Sequence, residues 1–293
     1  MITLTEQCNT DTQNIDLMSA SDIAKAINKE DKKVAIAVEK EIVQIGKAID
    51  LIANAFLNGG RLAYFGAGTS GRIGVLDASE CVPTFSVEEG LVNAYIAGGN
   101  QALRHSVEYA EDDETLAQKD FNDFAPQKND VVVGISASGN PKYLLTVLKN
   151  AQQKGVQTIG VSANPHAEMK KYCDIFICPV TGAEAITGSS RMKAGTAQKM
   201  VLNMLSTGAM IKIGKTYRNY MIDVKISNQK LYERGCRFVC EICNVSMQEA
   251  QVLLENAGGS VKTACVMAIK KCSRTAAEDM LLSVGGILRK IIG

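Results

Sequence analysis

Three short runs in this chain join glycine to hydroxyl side chains: GAGTSG at 66–71, SASG at 136–139 and TGSSR at 187–191. Backbone N–H groups bared by glycine, backed by Ser and Thr hydroxyls, make a cradle for an anion, above all where the run opens a helix. The chemistry on offer is capture of a phosphate on a small molecule. The candidate contacts are Thr69 and Ser70, Ser136 and Ser138, and Ser189 and Ser190. Two acidic positions stand near these runs. Glu80 lies in DASEC, and Glu111 heads the acidic run EDDE at 111–114. A third acid, Glu184, precedes the third run and is placed to orient a sugar hydroxyl. Two carboxyl groups held in opposite protonation states can serve as general acid and general base. Each feature also has a plainer reading. Serines cap helices for structural reasons, and acid runs are commonly solvated faces. Spacing alone does not prefer catalysis for either glutamate. Three hydroxyl runs at matching topological positions favour a ligand.

The first run also matches the spacing G-x-G-x-x-G of a dinucleotide-binding turn. That turn needs an acid about 20 residues on, at the tip of the next strand, to hold a ribose. Here the next apolar run, 92–97, leads into Gly98, Gly99 and Asn100 with no acid at its tip. The hydroxyls at 69 and 70 stand where a dinucleotide fold offers bare backbone. A phosphosugar therefore ranks above a nicotinamide cofactor.

Positioning such loops requires strands that end together. Apolar runs at 62–65, 92–97, 131–136, 157–162 and 174–178 alternate with helical patterns, including 101–110 and 142–153. The run VVVGIS is apolar nearly throughout, as expected when both faces of a parallel sheet are covered. This is the pattern of an α/β, doubly wound, parallel sheet of about five strands. In such sheets ligands bind beyond the carboxyl ends of the strands, where all three runs fall. Ahead of it, Ser21 reads as a helix cap, and apolar steps of three and four make 33–58 one amphipathic helix. The run EDDE falls at the C-terminal end of the helix expected over 101–110, where the macrodipole disfavours acids. A Met-rich helix spans 190–213. From about 228 the chain reads as a small helical bundle with Ser246 and Ser260 as caps. The expected divisions are an N-terminal arm and helix at 1–58, a sugar-phosphate domain at 59–227 and the bundle at 228–293.

Composition excludes several classes. The 293 residues are 46% hydrophobic and 22% charged with net charge +1. Nothing there draws the protein to nucleic acid or to an anionic membrane. No apolar run reaches the length of a membrane span, and the first residues lack a signal pattern, so a cytoplasmic protein is expected. Nine scattered cysteines do not make a disulfide framework. Cys236, Cys240 and Cys243 share a helical face, but the two histidines, His105 and His166, are far from them in sequence, so core packing is expected and no metal site.

The loops GAGTSG and GISASG resemble those of a SIS (sugar isomerase) domain. The fuller strings GAGTSGRIGVLDASECVPTF, AYIAGG, VEYAEDD, TGSSRMKAGTAQKMVLNMLSTGAM and GKTYRNYMIDVKISNQKL resemble the N-acetylmuramic acid 6-phosphate etherases. The resemblance covers nearly the whole chain, including a C-terminal bundle similar to a ubiquitin-associated fold. It implies cleavage of the D-lactyl ether of N-acetylmuramic acid 6-phosphate, giving N-acetylglucosamine 6-phosphate and D-lactate in cell-wall sugar recycling. It also implies a homodimer and neither metal nor cofactor. The family's two catalytic glutamates fall on Glu80 and Glu111, the first as proton donor. The chain departs from the family pattern at Pro141, where a Thr is usual, at Cys8, where Arg is usual, and at Ala183, where Pro is usual. Two alternatives share the fold: an aldose–ketose isomerase, and a non-catalytic phosphosugar sensor similar to the glucokinase regulatory protein.

Overall fold

Five apolar runs pair into one parallel sheet in a computed structural model that describes residues 6–224, 226 and 228–293. The strands are β1 (Leu62–Gly66), β2 (Val92–Ile96), β3 (Val131–Ile135), β4 (Gln157–Val161) and β5 (Ile175–Ile177). Their order is β2-β1-β3-β4-β5. The registers Leu62↔Val92, Leu62↔Val131, Val131↔Gln157 and Ile159↔Ile175 bring the carboxyl ends to one edge. Central strands β1 and β3 are buried along their whole length, which is why LAYFG and VVVGI carry no polar alternation.

The helices of this part are α1 (Ala20–Glu39), α2 (Ile42–Leu57), α3 (Gly68–Phe85), α4 (Glu114–Phe124), α5 (Lys142–Gln153) and α6 (Lys193–Lys212). One face of the sheet packs on α4 and α5 through Phe65, Phe121, Phe124, Val132, Leu144 and Leu148. The Phe65 and Tyr95 rings stack at 4.8 Å within it.

The chain divides into two compact units. The first runs to Ser79 and resumes over Gly90–Ser206; the second holds Glu80–Glu89 and the chain from Thr207 onward. In the second unit, α6 is followed by a hairpin of β6 (Thr216–Tyr217) and β7 (Tyr220–Met221). The bundle comprises α7 (Gln229–Cys243), α8 (Met247–Asn256), α9 (Val261–Lys270), α10 (Arg274–Ser283) and α11 (Arg289–Ile292). Its core is built on Phe238, Val239, Leu254, Val261 and Cys265. Ser246 and Ser260 cap α8 and α9 as expected, and Asn228 and Ser273 cap α7 and α10. Cys236 is buried in this core, Cys240 and Cys243 pack against it, and the Cys240 thiol donates to the Val245 carbonyl. The likeness to a ubiquitin-associated fold rests on the sequence resemblance alone.

Three local expectations are corrected. The helix at 33–58 is two helices: Glu41 leaves helical geometry, and its carboxylate accepts the Cys178 N–H at 3.0 Å just past β5. The three- and four-residue steps persist across the break, so periodicity alone hid it. The cap of α1 is Ser19, whose side chain accepts from Asp22, and not Ser21. The stretch 101–110 is not an α-helix. It holds two 3₁₀ turns, Gly99–Leu103 and Ala110–Asp112, separated by irregular chain with Tyr109 at φ +60°. The acidic run therefore stands at the start of a helix. Asp113 caps α4 by accepting from Leu116, and Glu114 lies in its first turn, both favourable with the macrodipole.

Candidate active site

Sheet order reverses at β1: the chain passes outward to β2 and returns to β3 on the other side. Ligands bind in the crevice that such a switch opens at the carboxyl ends of the strands. The first and second hydroxyl runs leave β1 and β3 there, side by side, because Gly66 pairs with Ile135.

The first run is already helix. α3 begins at Gly68 (φ +53°), so Thr69 and Ser70 lie in its first turn and Ser70 is buried. Two glycines make this turn tight. A Cβ on Gly71 would stand 2.7 Å from the Gly66 carbonyl and 2.6 Å from Ile96 Cγ1, so only glycine lets the helix start this close to β1 and β2. In the second run the Ser136 hydroxyl accepts the Gly139 N–H at 3.0 Å, and the Ser138 carbonyl accepts from Asn164 Nδ2 at 2.9 Å. Ser138 is half-buried, and its hydroxyl has only a long contact to the Asn140 N–H at 3.4 Å. Pro141 stands at the start of α5 with no side-chain cap, its φ of −54° suited to a helix entry.

The third run does not open α6; it forms the loop ahead of it, with Ser189 N–H donating to the Ile186 carbonyl. It meets the first run at Gly195. A Cβ there would lie 3.3 Å from Thr69 Cγ2 and 3.5 Å from the Ser190 carbonyl. Glu184 is fully buried, and its two carboxylate oxygens accept the Lys193 and Ala194 N–H groups at 2.9 and 3.0 Å. It caps α6. Burial pushes its pKa up, against the pull of those two N–H groups.

Beneath this loop lies an ionic cluster that sequence reasoning missed. Lys193, the first residue of α6, pairs with Glu30 of α1 at 2.6 Å, and Lys33 reaches the other Glu30 oxygen at 2.5 Å. Burial pushes the Glu30 pKa up, but hydrogen bonds from Lys193, Lys33 and Asn9 outweigh it and hold it down at about 2. The N-terminal arm is tied to the same loop: Asn9 Nδ2 donates to the Ala183 carbonyl at 3.1 Å and Thr12 Oγ1 to the Ala185 carbonyl at 2.8 Å. A lysine near a helix start and a glutamate 163 residues away share no sequence signal.

On the β2 side of the α3 start is a cleft of about 310 Å³. Gly68, Arg72, His105, Glu108, Tyr109 and Glu111 are among its lining. Glu111 is exposed there, in the 3₁₀ turn that follows Tyr109. The first and third hydroxyl runs thus meet at Gly195, the second emerges beside the first, and Glu111 flanks them. Glu80 belongs to the other unit, on the exposed side of α3. One turn earlier, Asp77 is buried and accepts from Tyr64 Oη at 2.9 Å and Ser206 Oγ at 3.1 Å.

Comparison with known proteins agrees with this architecture. Residues 44–152 match the glucokinase regulatory protein N-terminal SIS domain, 122–208 the SIS domain, and 218–258 the C-terminal lid domain of glucokinase regulatory protein. A solved structure from Bacteroides fragilis, described as a phosphosugar isomerase involved in capsule formation, superposes with a TM-score of 0.50. It is 20% identical and covers 65% of this chain and 91% of its own, a likeness of fold. An N-acetylmuramic acid 6-phosphate etherase of Clostridium botulinum is 50% identical over 95% of this chain and 92% of its own. One from a Geobacillus species is 47% identical over 98% of both. At that identity, along nearly the full length of either chain, kinship covers sheet, loops and bundle alike: the chain belongs to the N-acetylmuramic acid 6-phosphate etherase family.

Proposed function

We propose that this protein cleaves the D-lactyl ether of N-acetylmuramic acid 6-phosphate by elimination followed by hydration, yielding N-acetylglucosamine 6-phosphate and D-lactate. The observation that carries the reading is the meeting of glycine–hydroxyl turns at the β1/β3 switch point with a cleft that holds a carboxylate. Family membership supplies the substrate.

The chemistry follows from the substrate. An alkyl ether is a poor leaving group, so direct hydrolysis is difficult. Ring opening exposes an aldehyde at C1, which acidifies the proton on C2. Glu111 as carboxylate takes that proton. Glu80 as carboxylic acid protonates the lactyl oxygen as its bond to C3 breaks. The C2–C3 alkene then accepts water: hydroxide adds at C3, a proton returns to C2, and the two groups exchange roles. Thr69, Ser70, Ser136, Ser138, Ser189 and Ser190 hold the phosphate end, with Glu184 fixing the start of α6 beneath Ser190. General acid–base assistance of this kind is typically worth 10²–10⁴-fold.

The same reading makes the protein a cytoplasmic homodimer. Exposed apolar residues on α1 and α2, Ile36, Ile42 and Val43, support a self-contact. No helix among the described residues is long and apolar enough to cross a membrane. The test is incubation with N-acetylmuramic acid 6-phosphate and assay of D-lactate. Release of lactate is the expected result. An isomerised sugar without lactate, or binding without turnover, overturns it.

A further inference from the structure

We propose that Arg72 binds the carboxylate of the substrate's lactyl group and so selects muramyl over glucosaminyl phosphosugars. The inference rests on the function proposed above, since it concerns that substrate's second anionic end.

The cleft beside the α3 start holds two carboxylates, Glu108 and Glu111, and Arg72 is the sole Lys or Arg among its lining residues. A lactyl carboxylate entering that space meets two like charges and needs a cation to hold it. The guanidinium is already oriented. Its Nε donates to the Leu103 carbonyl and its Nη2 to the His105 carbonyl, each at 3.2 Å. These two bonds use two of five N–H donors. Both donors of Nη1 and one of Nη2 remain, on the edge that matches a carboxylate in two-point fashion. Among the described residues no carboxylate forms an ion pair with it. A half-buried arginine anchored only by carbonyls keeps its full charge for a ligand.

Placement on α3 fits the size of the substrate. Ser70 and Arg72 are two residues apart, roughly 200° around a helix of 3.6 residues per turn. Ser70 is largely buried in the first turn, and Arg72 lines the cleft. One helical turn thus offers a hydroxyl to the phosphate on one side and a cation to the lactyl carboxylate on the other. The sugar's C2 and C3 then fall between them, near Glu111.

The experiment compares two substrates and two proteins. The substrates are N-acetylmuramic acid 6-phosphate and its analogue with a carboxamide in place of the lactyl carboxylate. The proteins are wild type and Arg72→Met. Wild type is expected to lose about 10²-fold in kcat/KM on the carboxamide, the usual scale for removing one partner of a buried charge-assisted pair. Arg72→Met is expected to lose a similar factor on the natural substrate, to show no preference between the two, and to keep wild-type affinity for N-acetylglucosamine 6-phosphate. Equal handling of both substrates by wild type overturns the proposal, and needs no variant that folds. So does a variant that loses the product and the substrate alike, the signature of an arginine that only braces the loop leading to Glu111. Wild type that releases neither lactate from the natural substrate nor lactamide from the analogue removes the proposed function itself.

Discussion

Lys193 Nζ stands 2.6 Å from Glu30 Oε2, and both residues are 1% exposed. The pair joins α1 to the first residue of α6, directly behind the loop that carries Ser189 and Ser190. Removing one partner of a buried pair strands the other charge and typically costs about 3–5 kcal/mol. Glu30→Gln is therefore expected to lower the melting temperature strongly. It should also raise KM for the phosphosugar, because the loop loses its support. Calorimetry and steady-state kinetics check both, and a variant as stable as wild type would deny the pair this role.

The same cluster sets a pH dependence. Glu30 titrates near 4.5 when unfolded and is held at about 2 when folded. A depressed carboxyl group stabilises the fold fully above its unfolded value, and the gain is lost as pH falls through the folded one. Stability contributed by Glu30 should thus be intact above about pH 4.5 and decline toward pH 2. Denaturant melts across that window should show a steeper acid loss in wild type than in Glu30→Gln.

Glu80→Gln and Glu111→Gln are each expected to lower kcat by at least about 10²-fold while product affinity is retained. Lactate release and a product-binding titration measure the two effects. Near-normal turnover in either variant would discard the pairing.

The second hydroxyl run separates two kinds of serine. Ser136 already accepts the Gly139 N–H, so Ser136→Ala is expected to loosen the turn and cost about 1 kcal/mol of stability as well as affinity. Ser138 keeps its hydroxyl nearly free, so Ser138→Ala should raise KM several-fold with stability and kcat little changed. A thermal melt beside a KM measurement distinguishes them.

Gly71→Ala tests the tight start of α3. Its methyl meets the Gly66 carbonyl at 2.7 Å, a backbone atom that cannot move without shifting β1. A cost of about 1–3 kcal/mol is expected from this overpacking, together with weaker phosphosugar binding. Proteolysis rates and a binding titration read the outcome.

Much of this was legible in the chain. Short apolar runs between helical patterns specify a parallel sheet, because only strands covered on both faces can be apolar throughout, as VVVGI is. Glycine next to Thr and Ser marks the candidate anion-binding turns, since N–H groups bared by glycine beside hydroxyls favour an anion. Where local pattern failed, long-range contacts had decided. The run at 101–110 has the residues of a helix, yet Arg72 from α3 draws the Leu103 and His105 carbonyls toward itself, and they are lost to an α-helical ladder. The break at Glu41 answers to an N–H on Cys178, 137 residues away.

Composition and spacing by themselves pointed to the class of fold and picked out the three glycine–hydroxyl runs, because each is written in neighbouring residues; Glu80 and Glu111 were singled out by the family resemblance. Only the tertiary structure decided that Glu184 caps α6, that Lys193 and Glu30 form a buried pair under the third turn, and that Arg72 shares a cleft with Glu111. Those relationships join residues far apart in the chain. They exist only once burial makes an unpaired charge or N–H costly enough to fix its partner.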